Sequence, residues 1–179
     1  MREGILAAAL RLPWISQVRR NHALEHATMQ VLSEQHSNVR LMGRSSISGF
    51  TIYGDVSGEA VFDAAREGLR RLRAGDTGMA IHPNCGSNYV VAGTVAALSA
   101  FLALGGLSRN RSESLGDRLA RLPLACATAT LGIILSRPLG TALQAHVTTD
   151  ADVGRLRVEG VMRSRQASPT VHFVRTASP

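Results

Sequence analysis

The sequence predicts an α+β fold: a small soluble α+β domain, split in sequence by a two-helix transmembrane hairpin. Three observations carry this. No charged residue occurs from Pro83 to Ser108, and a second uncharged run covers Leu122 to Ser136. Short alternating runs lie on both sides of that apolar middle, and Glu59 to Arg73 has the spacing of an amphipathic helix. The chain of 179 residues has room for about one domain. With 45% hydrophobic and 18% charged residues it is no disordered chain, and its two cysteines exclude a disulfide-stapled scaffold.

Residues 1–15 read as an amphipathic segment lying on the membrane, with Trp14 at headgroup level. The apolar stretch Gly4–Leu10 is too short for a signal peptide, and Arg11 follows it. Residues 16–87 form the first soluble part and carry the chemistry. Within it Val39–Met42 and Gly49–Tyr53 alternate, joined by a Gly/Ser-rich segment, as in a hairpin. Asp55 to Gly58 is a turn. The helix that follows places Val61, Ala64, Ala65, Gly68 and Leu72 on one face, with Asp63, Glu67, Arg70 and Arg71 on the other; Glu67 and Arg71 form a favourable i,i+4 pair.

Residues 88–146 are the predicted transmembrane hairpin. Tyr89 to Leu107 spans about 28 Å as a helix, close to the hydrocarbon thickness of a bilayer. The second run is short by itself, but Arg137 can snorkel to the interface and Pro138 can kink a continuing helix. Cys126 reads as a small packing residue in mid-span, and His146 as an interfacial histidine. Residues 147–179 supply two further strands, around Arg155–Val158 and Thr170–Val174, and a flexible end; His172 receives no role.

The net charge of +7 rests on arginine alone, since the chain has no lysine. Such a balance raises nucleic acid or an anionic membrane as partner. No aromatic–basic alternation and no nucleic-acid motif occurs, so the bilayer is the expected partner, with a membrane-proximal protein or peptide as substrate. The expected location is the cell membrane, crossed twice, with the soluble part on the cytoplasmic side. Arg109, Arg111, Arg118 and Arg121 in the loop balance Arg70, Arg71, Arg73, Arg155 and Arg157 opposite, so the positive-inside count alone favours neither orientation.

The chemistry centres on His22, Glu25 and His26, spaced H-x-x-E-H as in an inverted zincin. On a helix the two histidines stand about 40° apart and one turn up, so both imidazoles can reach one ion. Glu25 falls on the same side and could act as general base. Met29, Ser33 and His36 continue the stripe, while Leu24, Ala27 and Val31 lie opposite. Downstream, His82-Pro-Asn-Cys85-Gly brackets a tight turn, and imidazole with thiolate is a zinc donor set. His22, His26, His82 and Cys85 are therefore the candidate metal ligands, zinc the expected cofactor and Glu25 the candidate catalytic residue.

These motifs carry a resemblance. His-x-x-Glu-His-x-Thr, with His-Pro-x-Cys-Gly directly before an apolar helix, resembles the YqhQ family of bacterial membrane proteins, candidate metal-dependent enzymes. Lysine usually follows that family's second motif histidine; Ala27 stands here, so an ionic role at that position does not carry over. Arg20–Thr28, Gly49–Val56, Ile81–Asn88 and the stretch from Pro138 to Thr149 more closely resemble an uncharacterised bacterial family of two-span membrane proteins. That likeness covers roughly residues 15 to 160 and implies placement rather than activity.

Two function classes follow. Two histidines with one further ligand would leave an open position, and Glu25 would serve a hydrolase or peptidase as base. All four ligands together would instead close a structural site, as in an assembly factor. No clear downstream glutamate ligand of the inverted zincins is present; Glu59 and Glu67 are candidates only by default, and Glu67 reads as solvent-facing. A membrane assembly factor without any metal is a third class. No G-x-S-x-G and no Cys–His–Asn set supports a nucleophilic triad.

Overall fold

The computed structural model describes residues 4–36, 38–106, 114–164 and 169–178. The chain divides into two compact units, Met1–His82 with Gln144–Pro179, and Pro83–Leu143. The loop arginines Arg109 and Arg111, and Leu107 at the end of the predicted first span, lie outside the described residues.

In the first unit, α1 (Ile5–Leu10) is followed by the long α2 (Pro13–Gln35), which opens on a proline whose missing N–H costs nothing at a helix start. Trp14 belongs to the first turn of α2 and is exposed, as are Ile5, Leu6 and Leu12. Four antiparallel strands, β1 (Met42–Ser46), β2 (Gly49–Tyr53), β3 (Arg157–Ser164) and β4 (Val171–Ala177), form one sheet in the order β1-β2-β4-β3. The helix α3 (Gly58–Arg73) lies across β3 and β4, and α2 across β1 and β2. Phe50, Ile52 and Val174 face the helices and are fully buried; each such side chain contributes roughly 1.5–3 kcal/mol.

The α3 face read from the sequence is the buried face: Val61, Ala64, Ala65, Gly68 and Leu72 are all in the core. Ser57 caps its start by accepting from the Ala60 N–H, and Glu67 accepts from Arg71 at 2.8 Å and from Arg70 at 2.7 Å. Those two guanidiniums hold the Glu67 carboxyl down to about 2. Arg71 also reaches Glu34 on α2, so Glu67 belongs to a surface ion network.

The first strand is displaced from its expected place. Val39–Met42 was expected to pair, yet β1 runs from Met42 through the Gly/Ser-rich stretch, and Ser46 pairs with Gly49 around the two residues Ile47 and Ser48. The turn is fixed from outside. Asn21 on α2 donates to the carbonyls of Ser46 and Ile47 at 2.8 and 3.0 Å and accepts from Thr176 of β4 at 2.8 Å. Gly49 has φ +145°, and a side chain there would strike the Val174 carbonyl.

α2 and α3 cross at Gly68, where a Cβ would stand 2.9 Å from the Ala27 Cβ and 3.1 Å from its carbonyl carbon. Alanine is the better helix former by up to about 1 kcal/mol, but here the neighbour is backbone and the helices must part. Gly68→Ala is expected to destabilise the protein by about 1–3 kcal/mol, read as a lowered melting temperature. An unchanged or raised value would mean that the crossing has spare room.

The second unit comprises α4 (Gly86–Ala103), α5 (Leu115–Ala120), α6 (Leu122–Leu135) and α7 (Arg137–Leu143). α4 and α6 are antiparallel: Gly132 faces Val95 and Ser99, Thr128 faces Ser99, and Arg121 reaches the Leu104 carbonyl. Gly140 meets Asn88 farther along. These small residues let the helices approach closely. Among the described residues α4 alone is long and apolar enough to cross a membrane; Leu122–Leu135 reaches that length only with Arg137–Thr148, bent by 45°. Cys126 is exposed on α6, so it is not the packing residue that its position suggested.

Candidate metal centre

His22, His26 and Gln30 stand four residues apart and form one stripe on α2, displaced from the Met29–Ser33–His36 line expected for it. The stripe is not a solvated face. His26 is fully buried, and Glu25 is 3% exposed. From Asn21 to Leu32 the helix is buried on most sides, because the sheet, α3 and two returning segments surround it. Its polar side chains are satisfied by backbone from far along the chain.

The first returning segment is the 3₁₀ turn Thr77–Ala80 and its exit. Four successive carbonyls are taken in turn. Gln30 donates to Met79 and to Ile81, both at 3.0 Å, His26 Nδ1 meets Ala80 at 2.7 Å, and the Gln144 amide meets His82 at 3.1 Å. Gln144 also accepts from the His82 N–H at 2.8 Å, so its side chain pairs with that residue as a strand would. The second segment is a single π-helical turn, Gln144–Thr148. Arg19 gathers its carbonyls, donating to Val147 at 2.7 Å, Thr149 at 2.8 Å and His146 at 3.3 Å. The Thr148 carbonyl, which Arg19 leaves, takes His22 Nδ1 at 2.9 Å.

Both histidines are thus oriented alike. A ring nitrogen facing a carbonyl must carry the proton, so Nδ1 is the N–H and Nε2 carries the lone pair. A carbonyl behind the imidazole is the usual orienting partner of a metal-ligating histidine. The rings of His22 and His26 lie 4.3 Å apart between centroids, and those of His26 and His82 5.6 Å. His26 Nε2 is buried and has no hydrogen-bond partner among the described residues.

Glu25 leaves the stripe toward β1. Its carboxylate accepts a short hydrogen bond from the Ser45 hydroxyl and lies against Gly43, where a Cβ would come within 2.6 Å of the carboxyl carbon. Cys85 begins the second unit's first helix as the N-cap of α4, with its sulfur 3.2 Å from the Ser87 hydroxyl. A helix N-terminus favours negative charge there, the form in which sulfur ligates a metal. Glu67 is engaged with arginines, and His146 is exposed.

Sequence reasoning missed Arg19, Gln30 and Gln144, which fix the segments behind the histidines. Gln30 was legible as the next i+4 position after His26; the contacts of Arg19 and Gln144 with segments far along the chain were not. It also passed over His172, fully buried on β4 opposite Ile52. The Val56 carbonyl is close to its ring, but neither nitrogen makes a hydrogen bond of normal geometry among the described residues. Burial holds the His172 pKa below its usual 6.5, and Arg163 adds to this.

The family model for a domain of unknown function, DUF6391, matches residues 17–161. The chain belongs to the DUF6391 family. An uncharacterised protein of Picosynechococcus sp. is 32% identical over 167 residues, covering 88% of this chain and 78% of that protein. No solved structure matches the chain. The matched region contains His22, Glu25, His26, His82 and Cys85.

Proposed function

We propose that this DUF6391 chain is a membrane-anchored, zinc-dependent hydrolase whose metal is held by His22 and His26, with Cys85 of the His82-Pro-Asn-Cys85 motif as the third ligand. The observation that carries the reading is the buried, unpartnered Nε2 of His26, with Nδ1 already committed to the Ala80 carbonyl. An unsatisfied buried nitrogen costs roughly 1–3 kcal/mol, and a bound cation would remove that cost. His22 is oriented through its Nδ1 in the same way. Two imidazoles with one thiolate suit zinc better than magnesium or calcium, which prefer oxygen.

Three protein ligands leave a fourth position, and zinc there would supply Lewis acidity toward an acyl carbonyl. Glu25, adjacent to His26 and held by Ser45, would take the proton of the attacking water. The membrane half of the reading is supported by the second unit. No residue of α4 is buried, and Tyr89, Val90, Leu98 and Leu102 are more than half exposed, as are Leu124, Leu131, Ile134 and Leu135 on α6. That much apolar surface is costly in water and favourable in lipid.

A second reading is favoured by the 5.6 Å between the His26 and His82 rings: His82 as fourth ligand would close the site and make it structural. Zinc titration of the purified full chain distinguishes these. Wild type and Glu25→Gln are expected to bind one zinc per chain with affinities within about threefold of each other, since Glu25 is no ligand. His82→Ala is expected to leave the affinity unchanged; a loss of tenfold or more would establish the closed site. Failure of wild type to bind one zinc would overturn both readings.

A further inference from the structure

A cleft of about 410 Å³ opens within the second unit, between the start of α4 and the break that separates α6 from α7. The break has a local cause. Ser136 turns its hydroxyl back to the Ile133 carbonyl at 2.7 Å, and Pro138 brings no N–H to the next turn. Gly132 and Gly140 touch α4 on either side of the break, and the space between those two contacts stays open. Tyr89, Ala92 and Ile133 give the cleft an apolar wall, and Arg137, Asn84 and Thr141 line its polar part. Its size falls within the range of small-molecule sites.

Arg137 decides what fits. It is the one charged side chain between Arg121 and Asp150, set between two apolar runs. It is exposed, and it makes no ion pair among the described residues. We propose that the cleft binds a phospholipid of the bilayer, with its anionic headgroup on Arg137 and one acyl chain along Tyr89, Ala92 and Ile133. A guanidinium matches a phosphate diester in charge and in donor geometry, and Leu135 and Leu139, two residues to either side of Arg137 in sequence, are exposed apolar side chains. The lipid-facing cleft is lined by Asn84 and Asn88, which flank Cys85, so the proposed thiolate ligand sits in the segment that forms its rim. The inference rests on the membrane placement proposed above, and not on the metal.

The test uses the full chain in nanodiscs of equal phosphatidylglycerol and phosphatidylcholine, with retained lipid measured by native mass spectrometry after release. Wild type is expected to keep phosphatidylglycerol at least fivefold over phosphatidylcholine. Arg137→Lys should keep the preference, Arg137→Gln should lose it, and Ala92→Trp should lower total retained lipid by filling the cleft. No preference in wild type, or an unchanged preference in Arg137→Gln, would overturn the inference. Displacement of the lipid by millimolar inorganic phosphate would overturn it as well, since a free anion would then be the ligand. Carbonate washing of membranes separates the two levels: release of the protein would overturn the membrane placement together with this inference, whereas retention with no lipid preference would overturn the inference alone.

Discussion

His26→Ala is expected to lower zinc affinity at least about 100-fold and to destabilise the zinc-free protein by about 2–4 kcal/mol. The two effects have separate causes. Affinity falls because Nε2 is the buried ligand with no alternative partner. Stability falls because a fully buried ring is replaced by a cavity and the Ala80 carbonyl, 2.7 Å from Nδ1, loses its donor. His26→Asn separates them, since an amide N–H can stand where Nδ1–H stood while nothing replaces Nε2. In melting experiments with zinc at about 1,000 times its dissociation constant, wild type should gain about 4 kcal/mol. His26→Asn should gain no more than about 1.4 kcal/mol, the value for a 100-fold loss of affinity, while melting near the zinc-free wild type. A zinc stabilisation undiminished in His26→Asn would remove His26 from the ligand set.

Much of this arrangement was legible in the sequence. The α3 face was correct residue by residue, because a helix covering a sheet has one wet side and the period of 3.6 exposes it. Two further strands after the apolar middle were also correct, although β3 begins at Arg157 and continues to Ser164. The stripe on α2 was located, but the partners that bury it were not. Histidine, glutamate and glutamine at helical spacing look like a solvated face, and only their backbone partners, 54 residues downstream for His26 and 126 for His22, make burial tolerable. Such partners leave no periodic trace. β1 was misplaced for a related reason: Gly43 and Ser45 resemble loop, yet Gly43 leaves space for the Glu25 carboxylate and Ser45 donates to it. A strand that accommodates a buried acid needs small residues where an ordinary strand would have branched ones. Cys126 failed because a helix in apolar surroundings gives no periodic signal of its inner face; α6 is apolar all round.

His172 supplies a prediction that needs no metal. Its ring is buried between Ile52 and Arg163 on the neighbouring strands and under the start of α3, with Nδ1 3.8 Å from where a Gly58 Cβ would stand. Burial, Arg163 and the positive end of the α3 dipole all oppose protonation; His36 and Asp55 line the neighbouring groove at that end of the helix. The folded protein therefore keeps the ring neutral at a pH where the unfolded chain has already bound a proton. Stability should be constant in this respect above the ordinary value of 6.5 and fall as the pH drops below it, until the lowered folded-state value is passed. The slope in that window approaches about 1.4 kcal/mol per pH unit for one proton. The measured quantity is the difference between wild type and His172→Leu in melting or denaturant experiments from pH 8 to pH 5. The variant should show a shallower decline, and at pH 8 it should be the more stable by about 1–3 kcal/mol, because two unpartnered ring nitrogens are gone. Parallel pH profiles for the two proteins would show that His172 finds a proton acceptor in the folded state and that the Val56 carbonyl is its working partner.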